Sequence, residues 1–469
     1  MMKIPRLTLS VAALALGITA AGLTHTTLRP AKEVKNLAST MDSSKIPARL
    51  SATFESNREK ALRGPRRVQE PTFDPTLPVI YGAVVSSYAD WFIVNDQEQV
   101  GVYAFQPESP VKFQAMCLDP NLMVNGGGAY DGKYLYYHLW EMYADDTSEL
   151  GITFHNYYCV VDPQRWDMVK YVDYSDNQNN IAYDMTVDPT DGTLYAMQWG
   201  PYEDKYCELA RVNKMTGESE GIAKVPQMTV LASDNFGRLY SVDYNGDTYY
   251  VDKNTGKCVK IGNSGWVPAY VQSAAVDPES NTIYWAAYGE NGSGLYKLNT
   301  ISGRAEKVSD MPGSEEVTSL FFDSQRKGLD APDEVSDYYM TWSDGTLTLK
   351  ATAPQKAFNS SALSGDVTIE FYIDGSLASS GKCAPGAEIT LSGAAAAGDH
   401  TVVIVASNAA GRGPKTYVSQ HGGEDVPGPV ENLLFTLDGN RASLTWSAPR
   451  MGLNGGTVDP AEITYTVKR

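Results

Sequence analysis

The chain is poor in the residues that most often announce chemistry. Only five cysteines and five histidines stand among 469 residues. Cys117, Cys159, Cys207, Cys258 and Cys383 lie far apart, which excludes a disulfide-stapled scaffold and a clustered zinc site. The odd count leaves at least one thiol unpaired. His25, His138, His155, His400 and His421 share no metal-ligand spacing. No Gly-x-Ser-x-Gly elbow and no phosphate loop is present. Asn125-Gly-Gly-Gly128 lacks the Lys-Ser/Thr pair and following helix of a phosphate cradle, so it reads as a turn.

Positive charge is also scarce. The formal charge is −18, and residues 1–70 carry about +7 of their own, which leaves about −25 for the rest. A body of that sign repels phosphate backbones and anionic bilayers, so nucleic acid is excluded as a partner. Long apolar runs are missing except for Leu7 to Leu23. Lys3 and Arg6 precede that run and Thr19-Ala20-Ala21 follows its centre, the three parts of a secretory signal. Residues 1–21 are therefore expected to be a cleaved signal peptide. The mature protein is then secreted or on the cell surface, with no transmembrane segment. Residues 22–74 read as a disordered basic leader, with a short helix near Phe54 to Leu62.

What the chain does have is glycine, tyrosine and repetition. Three stretches share a turn followed by an aromatic strand: Asp188 to Tyr195, Ser233 to Tyr240 and Asp277 to Tyr284. Each is followed by a second pattern that ends in a polar turn closed by glycine: Arg211 to Gly217, Tyr250 to Gly256 and Lys297 to Gly303. Two tight turns per ~45-residue repeat imply about four short antiparallel strands, the size of one propeller blade. Looser copies precede them, at Ala129 to Pro163 and at Val79 to Met116. The latter includes strands at Trp91 to Val94 and Gly101 to Phe105. Val317 to Asp323 has no blade after it and is expected to complete a blade with the 79–116 strands. The predicted fold is all-β, with a five- or six-bladed β-propeller over residues 75–327.

These blades resemble those of the YVTN- and NHL-like propellers. They also resemble the propellers at the front of exported surface proteins of the Bacteroidota, in which an Asn-Gly-Gly-Gly segment precedes a Tyr-rich strand. Ser233-x-Asn235-x-Gly237-x-x-Tyr240 resembles the Asp-box of sialidases, which shapes a turn away from their active site.

Beyond Asp330 the composition shifts to Ser, Ala, Thr and β-branched residues. Strands are expected at Thr346 to Pro354, Val367 to Gly375 and His400 to Gly411. The last, with Ala406-x-Asn408-x-x-Gly411, resembles the end of a fibronectin type III domain, with His400 where a tyrosine often stands. Pro429 to Leu433, Ala442 to Pro449 and Ile463 to Val467 resemble the first three strands of the same module, with Trp446 as core tryptophan. The expected domains are thus a fibronectin type III-like module over 328–425 and an incomplete one over 426–469. The chain is therefore expected to be a truncated product or gene fragment, with residues 429–469 unstable alone.

No catalytic constellation emerges. Asp145, Asp146, Asp173, Asp176, Asp184 and Asp204 are read as loop residues from which a carboxylate pair for glycoside hydrolysis could be drawn. Asp243, Asn245 and Asp247 offer oxygen ligands for a weak Ca²⁺ site, and no other cofactor is implied. Aromatic density is the better signal, because flat amphipathic rings bury area on sugars and peptides at little entropic cost. Trp140, Trp199, Tyr202 and Trp266 are the candidate ligand-binding residues. The expectation is a non-enzymatic binding or adhesion protein whose propeller face engages a glycan or protein ligand. A polysaccharide-active enzyme and a structural surface protein are the alternatives.

Overall fold

The computed structural model describes residues 66–67, 73–85, 101–118, 124–144, 152–164, 166–174, 182–198, 206–269, 272–289, 292–313, 315–323 and 328–468. The expected signal peptide, most of the leader and Trp91 to Val94 lie outside them. All the described elements are strands. The chain divides into two units, the first running to Lys327 and the second from Gly328, with Val259–Gly262 counted in the second.

The first unit is built from five small antiparallel sheets in a propeller-like ring. The first sheet contains β1 (Arg66–Arg67), β2 (Ile80–Val85), β3 (Gly101–Phe105) and β4 (Gln114–Leu118). The second contains β5 (Val124–Tyr130), β6 (Leu135–Ala144), β7 (Ile152–Asp162) and β8 (Asp167–Asp173). The third contains β9 (Ala182–Val187), β10 (Leu194–Gln198), β11 (Tyr206–Val212) and β12 (Ser219–Pro226). The fourth runs through β13 (Met228–Ser233), β14 (Leu239–Asp243), β15 (Asp247–Val251) and β16 (Cys258–Asn263). The fifth runs through β17 (Ser273–Asp277), β18 (Thr282–Gly289), β19 (Gly292–Leu298) and β20 (Ala305–Asp310).

The last strand, β21 (Glu316–Phe322), does not start a sixth sheet. It pairs antiparallel with β2, so Ile80 faces Phe322 and Val84 faces Val317. The first sheet is thereby completed from both parts of the chain, as expected. The strands β5, β9, β13, β17 and β21 are neighbours in a closed circuit. Arg66 and Arg67 correct the leader assignment: as β1 they pair with Leu118 and Cys117 at the edge of the first sheet. Backbone pairing of two arginines at an edge has no hydropathy signature, so composition missed it.

The cores lie between adjacent sheets. Ile80, Phe105, Val317 and Leu320 of the first sheet pack on Tyr284, Ala286 and Leu295 of the fifth. Tyr195, Met197 and Leu209 meet Met228, Leu231 and Leu239 across the third and fourth. A strand covered on both faces is apolar almost throughout, which is why β13 and β21 are buried at every position. Each such Leu or Phe contributes about 1.5–3 kcal/mol. No disulfide joins the described cysteines, and Cys159 and Cys207 are buried.

The second unit holds a two-sheet sandwich and a two-stranded ribbon. One sheet has the order β22 (Tyr338–Ser343), β23 (Thr346–Thr352), β26 (Glu388–Ala394). The other has the order β25 (Ser376–Cys383), β24 (Val367–Ile373), β27 (Gly398–Asn408), β28 (Gly411–Gly422). Leu347, Leu349 and Leu391 from the first pack against Ile369, Phe371, Val402 and Ile404 from the second. β29 (Glu431–Asp438) and β30 (Arg441–Ser447) form the ribbon. The third strand expected there, Ile463 to Val467, is not paired. In the sandwich the equivalent β24 bonds to β25 and β27, not to β23, and residues 429–468 contain no counterpart of either partner. Leu433, Phe435 and Leu437 of the ribbon remain 59%, 62% and 68% exposed.

His400 opens β27 with an acceptor on each ring nitrogen. Nδ1 lies 2.7 Å from the Asp374 carboxylate and Nε2 lies 2.8 Å from the Ala396 carbonyl. An acceptor at each nitrogen favours the doubly protonated ring, the imidazolium. Burial alone would lower its pKa, but the Ala396 carbonyl and the Asp374 carboxylate outweigh it and hold the pKa above the ordinary 6.5. The stabilisation is therefore complete below the ordinary value and lost as pH rises through the raised one. We expect the melting temperature of the second unit to fall on going from pH 5.5 to 8. The effect should be worth about 1 kcal/mol or less after solvent screening. It should shrink in His400→Gln, as followed by calorimetry, with the remainder coming from His421, whose pKa the Asp399 carboxylate also raises.

Candidate functional site

Each sheet runs as a meander from its innermost strand outward, so the ring has two distinct faces. The innermost strands begin on one face, and the two repeated turns lie on the other.

The turn face explains the repeats. Asp131, Asp188, Asp234 and Asp277 each accept a backbone N–H two residues on, at 2.8–3.0 Å, so each carboxylate heads an Asx turn. In the fourth sheet the turn is headed by Asp234, not by Ser233. That turn is one residue shorter than its neighbours, which shifted the sequence register. Tyr136 and Tyr240 donate their hydroxyls back to Asp131 and Asp234 at 2.8 and 3.2 Å. The second pattern closes identically three times. Gly217, Gly256 and Gly303 donate to the carbonyls of Asn213, Asp252 and Asn299 at 2.7–2.8 Å, with φ of 69–74°. All of these atoms are engaged in turns, so the repeats are turn architecture.

At the axis three of the five inner strands, β9, β13 and β17, meet at one carboxylate, and the other two pack against its surroundings. Asp184 on β9 is fully buried. Its Oδ1 accepts from Met185 N at 3.0 Å and Ser273 Oγ at 2.9 Å. Its Oδ2 accepts from Leu231 N at 2.9 Å and Ala274 N at 3.1 Å. Ser273 Oγ accepts in turn from Leu320 N of β21 at 3.0 Å. Gly127 of β5 completes the circuit, since a Cβ there would come within 2.4 Å of Asp184 Cα. Gly128 likewise abuts Ser319. The Asn125-Gly-Gly-Gly128 segment is therefore innermost strand rather than the expected turn, and its glycines are the room the axis needs. Burial pushes the Asp184 carboxyl well up, against the pull of its four donors. The residue was read as part of an acidic loop; it is instead on a strand, beneath the surface.

Of the four candidate aromatics, the structure describes the side chain of Trp266. It lies in the connection from β16 to β17, on the face where the inner strands begin. Its ring is half-buried, 5.3 Å from Tyr296 at 45°. Its indole nitrogen is buried without a hydrogen-bond partner, against Gly289, where a Cβ would approach it to 3.1 Å. Val267 beside it is 66% exposed. The Trp140 backbone pairs with Val124, the first residue of β5, which places it at the same face. Trp199 and Tyr202 lie outside the described residues, as do Asp145, Asp146, Asp176 and Asp204. Tyr157 and Tyr158 are core residues of β7.

The Ca²⁺ candidates belong to the β14–β15 turn. Asp243 Oδ1 accepts from Asn245 N and Asp247 N at 2.8 and 2.9 Å, while Oδ2 faces the Tyr249 hydroxyl at 3.3 Å. Asp247 accepts from Asn263 at 2.7 Å. Asp243 is thus committed to the turn itself. Among the described residues no group of three or more His, Cys, Asp or Glu side chains is placed to hold a metal. No described helix is long and apolar enough to cross a membrane.

No protein-family model and no curated protein matches the chain. Solved structures with propeller-like folds are similar to it at low identity. One is a chain of a nidogen/laminin complex, 10% identical over 53% of this chain and 99% of that one, with a TM-score of 0.34. Another is a protein from Lactobacillus plantarum, 11% identical over 81% and 98%, with a TM-score of 0.26. A third is a gluconolactonase from Xanthomonas campestris, 10% identical over 61% and 97%, with a TM-score of 0.27. At these scores nothing further follows for this chain.

Proposed function

We propose that the protein is an exported, non-enzymatic binding or adhesion protein: a five-bladed propeller, read with the signal peptide and leader expected from the sequence, followed by fibronectin type III-like modules. Its ligand, a glycan or a protein, meets the face where the inner strands begin, at Trp140 and Trp266, with Trp199 and Tyr202 as the further sequence candidates. The observation that carries this reading is the Asp184 cluster. The carboxylate joins β9, β13 and β17 directly and β21 through Ser273, so it is taken up by the fold, and the half-buried Trp266 beside the exposed Val267 is the described group left for a ligand on that face. The same observation removes Asp184 from the carboxylates on which the enzymatic alternative could draw, because a carboxylate saturated by four donors is a poor general acid or base. The module reading is supported by the three-plus-four strand order and by His400, whose bond to Ala396 replaces the tyrosine corner of such domains.

The test is a glycan array probed with the full chain. We expect a defined set of bound glycans, with binding reduced tenfold or more by Trp266→Ala and by the surface change Val267→Glu. Silence across the array together with capture of a protein partner sensitive to the same two changes assigns a protein ligand. Unchanged binding in both variants overturns the choice of face.

A further inference from the structure

Fibronectin-like modules in series are easily imagined as beads on a flexible string. The second unit argues otherwise at the point where its sandwich meets its ribbon. Asp425 follows the sandwich, and its carboxylate accepts four hydrogen bonds. Oδ1 takes Val426 N at 2.7 Å and Asn454 Nδ2 at 2.9 Å. Oδ2 takes Asn454 N at 2.6 Å and Gly456 N at 3.2 Å. Three of those donors come from the loop after β30, which has returned to the joint.

Backbone bonds fasten the same loop on both sides of Asp425. His421 N donates to Asn454 O at 2.8 Å, and Thr457 N donates to Gly423 O at 2.7 Å. Asp425 N donates to Thr457 O at 2.9 Å, and Leu453 N donates to Val426 O at 2.8 Å. The loop sequence, Gly452-Leu-Asn-Gly-Gly-Thr457, fits this approach. A Cβ on Gly452 would come within 2.3 Å of the Asp425 carboxylate, and one on Gly456 within 2.6 Å of Asp425 Cβ. Glycine there lets two backbones close to hydrogen-bonding distance.

We infer that Asp425 and the 452–457 loop form a clamp that joins the ribbon segment rigidly to the sandwich, so that the second unit is a stiff arm and not a hinged one. Fixing both segments in one geometry holds the apolar residues of β29 and β30 in a set position relative to the sandwich. Asp425 is the centre of the clamp because its carboxylate sits at the joint and takes three donors of the loop, while Gln420 Nε2 of β28 donates to Gly455 O beside it at 2.5 Å. The inference concerns the second unit and is independent of what the propeller binds.

Hydrogen exchange on the full chain tests it. The amides of Leu453, Asn454, Gly456 and Thr457 should exchange at least tenfold more slowly than unprotected peptide, although the loop has no regular secondary structure. Asp425→Ala should remove that protection at 452–457, while β27 and β28 keep theirs. Asp425→Asn should give an intermediate result, because its amide oxygen still accepts from the loop. Free exchange at 452–457 in the unaltered chain would overturn the clamp. So would protection that survives Asp425→Ala. Loss of protection across β27 and β28 in that variant would overturn it too, since the carboxylate would then support the sandwich itself.

Discussion

Asp184→Asn is expected to lower the melting temperature of the propeller-like unit by about 10 °C, the largest effect of any single polar substitution there. All four neighbours of the carboxylate are donors: Met185 N, Leu231 N, Ala274 N and the Ser273 hydroxyl. The Ser273 proton has only one direction to point, because its oxygen already receives Leu320 N–H. An asparagine in this place turns an NH₂ group towards two donors and leaves them unsatisfied. Each buried unsatisfied group costs about 1–3 kcal/mol. The sum is on the order of 4 kcal/mol, which for a unit of this size corresponds to the stated shift. Ser273→Ala removes one donor and strands one, and should cost about half as much. Thermal melts of the three proteins decide the matter. An Asp184→Asn protein that melts within about 2 °C of the unaltered chain would mean that the site tolerates an amide and that the carboxylate does not organise the axis.

This residue also marks where sequence reading stopped. The blade strands were legible because their turns are local: Asp188 needs only Thr190, and Asn213 only Met215 and Gly217, to show what they do. The closure of the first sheet by β21 was legible because Val317 to Asp323 is apolar and has no following repeat. The axis was not legible. Its parts, Gly127, Asp184, Leu231, Ser273 and Leu320, come from β5, β9, β13, β17 and β21 and lie 42 to 57 residues apart at each step, so no short window contains two of them. Asp184 in isolation looks like any acidic residue near an aromatic run, and Gly127 looks like a turn. The same holds for the candidate face. Its aromatics were chosen from composition, and only topology shows that Trp140 and Trp266 share it. In the second unit the alternation of Val367 to Ile373 exposed the core strand, while the pairing partner that Ile463 to Val467 lacks is a property of the sheet order and not of the segment.

The second large effect concerns the contacts between blades. Where the polar turn carries lysine, that lysine reaches the Asx turn of the preceding sheet. Lys214 meets Asp131 at 2.9 Å, and Lys253 meets Asp188, with Asp191 at 3.9 Å. The two pairs have the same design but different depth. Asp131 and Lys214 both keep solvent contact, at 17% and 26% exposure, whereas Asp188 has none. Burial lowers the pKa of Lys253, but Asp188 and Asp191 raise it by more. Asp188 cannot relax outward, because Gly237 of the next sheet lies on it: a Cβ there would stand 2.5 Å from the carboxylate. Removing one partner of a buried pair costs about 3–5 kcal/mol, since the other charge is left without compensation. Exposed pairs are worth about 1 kcal/mol or less. Lys253→Met should therefore lower the melting temperature by about 8 °C, and Lys214→Met by about 2 °C. In a double-mutant cycle, Lys253→Met and Asp188→Asn should couple by about 2 kcal/mol. Equal effects from the two lysines would show that depth does not set the strength of this joint. In the third such turn Thr300 replaces the lysine, and the fourth and fifth sheets are joined instead by Asn235, whose N–H donates to Asn281 Oδ1 at 2.8 Å and whose Nδ2 donates to Pro278 O at 2.8 Å. That neutral joint should be the least sensitive of the three to salt, because no net charge crosses it.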